Sequence, residues 1–284
     1  MIGVAGATGG LGRRIAAELA RRGVEQRLVV RDAARAPALE RAEVVEAADY
    51  GEGEAMRRAL EGVEVLFLPS AGEHPDRVSL HRTAVDAAVA AGVRRLVYTS
   101  FVAAAPDTVF TFGRDHFHTE AYIRSAGIGY TFLRDSMYLD YVPFFASAEG
   151  IIRGPAGDGR LGAVARDDVA DTAVAVLLDA QHEGRAYEVT GRQAITLAEA
   201  AETLSRVSGR EVVYVEETLE EARASRAPSG APDWEIEGWV TSYAAVAAGE
   251  LDVVTDTVAR LTGHEPLTLP EFLEAHPESW AHLR

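Results

Sequence analysis

The chain contains no cysteine. Disulfides, thiolate catalysis and cysteine metal sites are therefore excluded. It contains no lysine either, so all 28 basic side chains are arginines. Without lysine there can be no Schiff base, no Walker-type phosphate lysine and no Tyr-x-x-x-Lys pair. No apolar run approaches the length of a membrane span, so no membrane partner is expected. Positive charge is scarce: 44 acidic residues leave a net charge of −16. A phosphate backbone would be repelled, which argues against nucleic acid as a partner. There is no His-Glu-x-x-His pattern and no third ligand at a telling spacing, so no metal is expected.

What is present is enough for a large fold. The 284 residues, 48% of them hydrophobic, can build one large α/β domain with an elaboration, or two interlocked ones. The first residues already read as a strand, leaving no room for a signal peptide, and a cytoplasmic protein is expected.

The most informative segment is Val4-Ala5-Gly6-Ala7-Thr8-Gly9-Gly10-Leu11-Gly12. An apolar stub runs into a glycine cluster, and the cluster into a helical stretch from Arg13 to Arg22. Strand, tight turn and helix, with Gly6, Gly9 and Gly12 in register, describe a turn on which a dinucleotide pyrophosphate can meet backbone N–H groups. Further apolar strands follow at 27–31, 44–47, 63–68, 95–99 and 130–133, with helices at 53–60, 77–91 and 116–126 between them. This alternation predicts an α/β fold, a Rossmann-type doubly wound parallel sheet. A smaller interleaved C-terminal α/β subdomain is expected after it. The expected division is 1–149 and 150–284, with a strand near 186–191 returning to the main sheet. Residues 150–165 read as irregular. A helix is expected at 167–179, another at 197–209 and a strand at 211–215. The acidic stretch 216–233, broken at Ala227-Pro228-Ser229-Gly230-Ala231-Pro232, reads as a mobile loop between two helices.

The end of the second strand bears on the cofactor. An acid about 20 residues past the glycines selects NAD, whereas an arginine there suits the 2′-phosphate of NADP. Arg31 is placed to clamp that phosphate with Arg35 near by, while Asp32 keeps an NAD reading open. Asp49 and Tyr50 follow the third strand, where they border the adenine pocket; Asp49 either bonds the adenine amine or is a polar turn residue. Leu68, Pro69 and Ser70 end the fourth strand, where the chain should cross the middle of the cofactor.

Several of these segments together carry a resemblance: Gly6 to Gly12, Val30-Arg31-Asp32, Ala48-Asp49-Tyr50, Tyr98-Thr99-Ser100, Arg166-Asp167-Asp168-Val169-Ala170 and Gly157-Asp158-Gly159-Arg160. The chain resembles the NmrA-like branch of the short-chain dehydrogenase/reductase superfamily, and within it the bacterial NADPH-dependent quinone oxidoreductases and triphenylmethane reductases. The resemblance implies an NADP(H) cradle made by the glycine turn, Arg31 and Asp49; Thr99, ending the fifth strand, is expected as a further cofactor contact. It also implies a substrate cleft between the sheet's carboxyl edge and the small subdomain. Where most of the superfamily has its tyrosine and lysine, this chain has His116 and Glu120, four apart on one helix face. They can hold the ribose or relay a proton, or simply be a surface pair. Ser100 stands at the superfamily's helper-serine position, and Tyr138 is expected in the cleft. Phe101, Met137, Tyr141, Phe144 and Phe145 complete a largely aromatic group suited to flat acceptors, or packed in the core.

The expected activity is reduction of a small quinone-like or other conjugated aromatic substrate, whose delocalised product anion needs no strong protein acid. Two alternatives stand beside it: a non-catalytic NADP(H)-binding redox sensor, and a tailoring reductase of a polycyclic intermediate. A homodimer is left open.

Overall fold

The computed structural model describes residues 1–47 and 49–284. Ala48, one of the residues carrying the resemblance, lies outside the described residues. The first part alternates strand and helix. β1 (Ile2–Ala5) leads to α1 (Gly10–Arg21), β2 (Gln26–Val30), β3 (Ala42–Glu46), α2 (Gly53–Ala59), β4 (Val65–Leu68), α3 (Arg77–Ala90), β5 (Arg95–Phe101), α4 (Thr111–Ser125) and β6 (Gly129–Asp135). There follow β7 (Ile151–Gly154), α5 (Arg166–Leu178), β8 (Arg185–Val189), α6 (Leu197–Ser208), β9 (Val213–Glu216), α7 (Leu219–Arg226), α8 (Asp233–Ala247), α9 (Thr257–Thr262) and α10 (Leu269–Ala275).

Seven strands form one sheet in the order β3-β2-β1-β4-β5-β6-β8. β1 pairs in parallel with both β2 and β4, Val4 lying opposite Leu28 on one side and Phe67 on the other. The chain therefore winds outward to β3, then crosses back over β1 to β4. In such sheets ligands bind beyond the carboxyl ends of the strands where the winding reverses. The central strands are continuous apolar runs: every residue of β1 is buried, as are Leu66, Phe67 and Leu68 of β4. That composition fits strands covered on both faces. α1 covers one face with Leu11, Ile15, Ala16 and Leu19, a helical stripe.

The chain folds into two compact units, each assembled from separate stretches of sequence. The first comprises Met1–Phe101, Asp115–Arg134 and Asp167–Glu188; the second comprises Val102–Arg114, Asp135–Arg166 and Val189–Arg284. The core of the first unit runs from Ala5 and Val29 through Leu66, Leu68 and Leu96 to Tyr98, Ile123 and Phe132.

Three local expectations need correction. The expected irregular segment 150–165 contains β7, which pairs in parallel with β9 from Ile151↔Val213 to Gly154↔Glu216. The helix after β5 begins at Thr111 rather than near 116, because its start is capped through tertiary structure: the Thr111 N–H reaches the Thr241 hydroxyl at 3.3 Å. The stretch 216–233 is not a mobile loop. Thr218 and Glu221 form a reciprocal capping box that starts α7, and Ala222 packs with Ile236 and Val240 of α8. The Ala227-Pro228-Ser229 break is a 3-10 turn between the two helices.

Candidate active site

The glycine turn is shaped by two close approaches. Gly6 has φ +64°, the left-handed region, and a Cβ on it would stand 3.0 Å from Cγ of Pro69. A Cβ on Gly12 would lie only 2.4 Å from the Gly6 carbonyl oxygen, so no side chain fits there. The Gly9 N–H donates to that same oxygen at 2.9 Å, closing the turn around Ala7 and the half-buried Thr8. Gly9 caps α1 without any side-chain hydrogen bond, and the first turn of α1 carries no acid. The opening N–H groups at Gly10, the buried Leu11 and Gly12 have no intrahelical acceptor, which leaves them to an anionic ligand. A tight glycine turn that leads into helix-opening N–H groups without intrahelical acceptors fits a dinucleotide pyrophosphate.

β2 ends at Val30, and Arg31 is the first residue beyond it, exposed and held by no hydrogen bond or ion pair among the described residues. Asp32 is occupied: its carboxylate accepts the Ala34 N–H at 2.9 Å and caps the 3-10 turn Ala33–Arg35. Arg13 donates to the Arg35 carbonyl at 3.3 Å, so a third guanidinium borders this corner. Asp49 is exposed and accepts the Tyr50 N–H at 2.5 Å. Tyr50 is committed to structure: its hydroxyl donates to the Pro69 carbonyl at 2.9 Å, and burial pushes its phenol well above the usual range. Leu68 is fully buried, whereas Pro69 and Ser70 are partly exposed just past β4. Thr99, near the end of β5, is buried with no partner for its hydroxyl among the described residues, an orphan at the sheet's carboxyl edge.

The structure separates His116 from Glu120. Glu120 is fully buried within a charge cluster: it accepts from the Ser100 hydroxyl at 2.7 Å, Arg134 at 2.7 Å and Arg124 at 3.0 Å. Ser100 thus spends its proton on Glu120. His116 lies in a second network. Arg77 approaches its Nε2 at 3.3 Å, and the Tyr98 hydroxyl lies 3.1 Å from its Nδ1. A guanidinium can only donate, so Nε2 must accept and Nδ1 carries the hydrogen, donated to Tyr98. Burial first, then the charge of Arg77, hold the His116 imidazole well below its ordinary range, so it is neutral. Phe101 stacks on it with ring centres 6.0 Å apart. Tyr138, in the second unit, donates its hydroxyl to Asp135 and lies under the Arg166 guanidinium. Tyr141 and Phe144 are exposed on the 3-10 segment Leu139–Phe145, and Phe145 packs 5.7 Å from Tyr243.

Sequence alone assigned no role to Arg77, His81 or Tyr98. A signal was there. Arg77 and His81 continue the buried stripe of α3 through Ala84, Val85 and Ala88, at spacings 4, 7, 8 and 11, so polar groups occupy core positions. Among the described residues no group of three or more His, Cys, Asp or Glu could hold a metal ion, and no helix is long and apolar enough to cross a membrane.

A family model described as NAD(P)H-binding matches residues 6–180. Quinone oxidoreductase 2 of Escherichia coli K12 is 35% identical over 279 residues, covering 95% of this chain and 96% of that protein. The crystal structure of NADPH-dependent quinone oxidoreductase QOR2 from E. coli with NADPH superposes with a TM-score of 0.88 at 34% identity, over 97% of this chain and 99% of the other. The Citrobacter triphenylmethane reductase in complex with NADP(H) gives a TM-score of 0.86 at 31% identity, with the same coverage, 97% and 99%.

Proposed function

The chain belongs to the NAD(P)H-binding, NmrA-like family of reductases, and on that premise we propose that it is an NADPH-dependent oxidoreductase acting on quinone-like or other conjugated aromatic acceptors. The observation that carries the cofactor assignment is the division of roles after β2: Asp32 is consumed as a cap, and Arg31 is left exposed. Bound NADPH supplies the hydride. The chain's part is to hold it: the pyrophosphate at the start of α1, the 2′-phosphate at Arg31 with Arg35 and Arg13 beside it, and the adenine near Asp49.

Acceptor class follows from the proton inventory. Ser100 donates to Glu120, Tyr138 to Asp135, and His116 is neutral with both nitrogens engaged. These three therefore act by holding geometry, and the proton that completes the product comes from solvent. A simple ketone would suffer from this, since its alkoxide needs a donor, whereas a hydroquinone anion is delocalised. Catalysis then rests mainly on holding two flat rings in contact. The same inventory keeps the sensor reading in play. A cytoplasmic location, where NADPH is supplied, goes with this reading.

The test mixes the protein with NADPH and a panel of quinones and triphenylmethane or azo dyes, following nicotinamide absorbance. NADPH oxidation above the uncatalysed rate is expected. No turnover across the panel, together with binding that discriminates NADP+ from NADPH, would replace the reductase by a redox sensor.

A further inference from the structure

We propose that Arg77 and His81, one turn apart on α3, are positioning residues that clamp Ala71 and thereby fix the turn after β4 against the glycine turn. Both backbone polar groups of Ala71 are held by side chains. Its N–H donates to His81 Nε2 at 2.8 Å, and its carbonyl accepts from Arg77 Nε at 2.9 Å. The two clamping residues are buried, His81 fully and Arg77 all but 7%. Their far ends are anchored in turn. His81 Nδ1 lies 2.8 Å from the Thr119 hydroxyl, and Thr119 donates to the Asp115 carbonyl at 2.8 Å. Arg77 reaches His116 at 3.3 Å, with the Asp115 carboxylate 3.9 Å away.

The hydrogen positions follow from the fixed donors. The Ala71 amide can only donate, so His81 Nε2 accepts, and Nδ1 carries the hydrogen toward Thr119. His81 and His116 are thus both the neutral Nδ1–H tautomer, with Tyr98 of β5 between them at 3.5 Å and 3.1 Å. Tyr50 closes the other side, 6.5 Å from the His81 ring and bonded to the Pro69 carbonyl. The clamped segment matters because Pro69, two residues earlier, is the atom group against which Gly6 is packed. A turn fixed in advance need not be ordered when the cofactor arrives, so its binding is tighter.

This inference rests on NADPH lying on the glycine turn. Two readouts test it. Imidazole 15N shifts of the histidine-labelled protein should show His81 and His116 as Nδ1–H tautomers; an Nε2–H or doubly protonated ring near neutral pH overturns the hydrogen-bond assignment. The second readout is the NADPH dissociation constant of His81→Phe, His81→Gln and the milder Thr119→Val. His81→Phe leaves the Ala71 N–H unpaired and should weaken NADPH binding by about tenfold, while KM for the acceptor stays close to wild type. His81→Gln, which can place an acceptor where Nε2 stands, should recover most of that loss. Thr119→Val should shift binding in the same direction as His81→Phe by a smaller factor, and it serves if the phenylalanine variant does not fold. Folded variants that bind NADPH as wild type does overturn the clamp alone. A wild-type protein that binds no NADPH overturns the cofactor reading and the clamp with it.

Discussion

Acidification should destabilise this protein through two buried imidazoles before its stabilising carboxylates are lost. Burial and the neighbouring Arg77 push His81 down from 6.5 to about 3, and His116 is lowered well below 6.5 for the same reasons. In the unfolded chain both regain ordinary values, so below 6.5 the unfolded state binds two protons that the native state refuses. Stability is therefore fully present above 6.5 and is lost as the pH falls toward the native values. Each group contributes about 1.4 kcal/mol per pH unit in that window, so going from about pH 7 to about pH 5 costs about 2 kcal/mol per imidazole and about 4 kcal/mol for the pair. Carboxylates that favour the native state, such as Glu18 and Glu271 lowered to about 2, lose their contributions only below 4.5. Asp115, raised by burial from 3.8, works in the opposite direction: its window lies above 3.8, and there it offsets part of the loss as the pH falls. Urea titrations followed by circular dichroism at the two pH values measure the difference directly. His81→Gln, which does not titrate, should remove about half of it. A wild-type difference below about 1 kcal/mol, or one identical in His81→Gln, would refute neutral burial of these rings.

Arg31→Ala should weaken NADPH binding by about tenfold to a hundredfold, the worth of a charge-assisted phosphate contact, and leave NADH nearly unchanged. Equal losses for both cofactors, in a binding titration, would remove Arg31 from the 2′-phosphate. Gly12→Ala puts a Cβ 2.4 Å from the Gly6 carbonyl oxygen, so it should abolish cofactor binding and lower the melting temperature, as a thermal scan with and without NADPH would show. Glu120→Met leaves Arg134 and Arg124 facing an apolar group at a fully buried position, and chemical denaturation should show a loss of about 3–5 kcal/mol. A loss within the scatter of surface substitutions would mean the cluster is solvated.

The fold was largely legible because its signals are local. Short apolar strands alternating with helical stripes and a glycine turn between the first pair are readable from neighbours in the chain, and the strand ends fell within a few residues. The misreadings fall where the local signal is weak or the deciding partner is distant in the chain. α7 buries a single residue, Ala222, so periodicity is blind to it; only the Thr218-x-x-Glu221 box betrays its start. α4 begins early because Thr241, 130 residues away, caps it. At the site, the type of each residue was legible but not its partner. His116 and Glu120 share a helix face by spacing, yet one bonds Arg77 and Tyr98 and the other bonds Ser100, Arg124 and Arg134.

From the sequence by itself come the absence of lysine and cysteine, the dinucleotide turn and the arginine beyond the second strand, since each depends on composition or on residues adjacent in the chain. Tertiary structure alone decided which polar groups are spent and which remain. Whether Asp32 caps a turn, whether Ser100 donates to Glu120 and whether His116 is neutral all depend on where the folded chain brings each group and what it buries beside it. In a buried place the low dielectric removes charge from an imidazole and leaves every donor needing an acceptor.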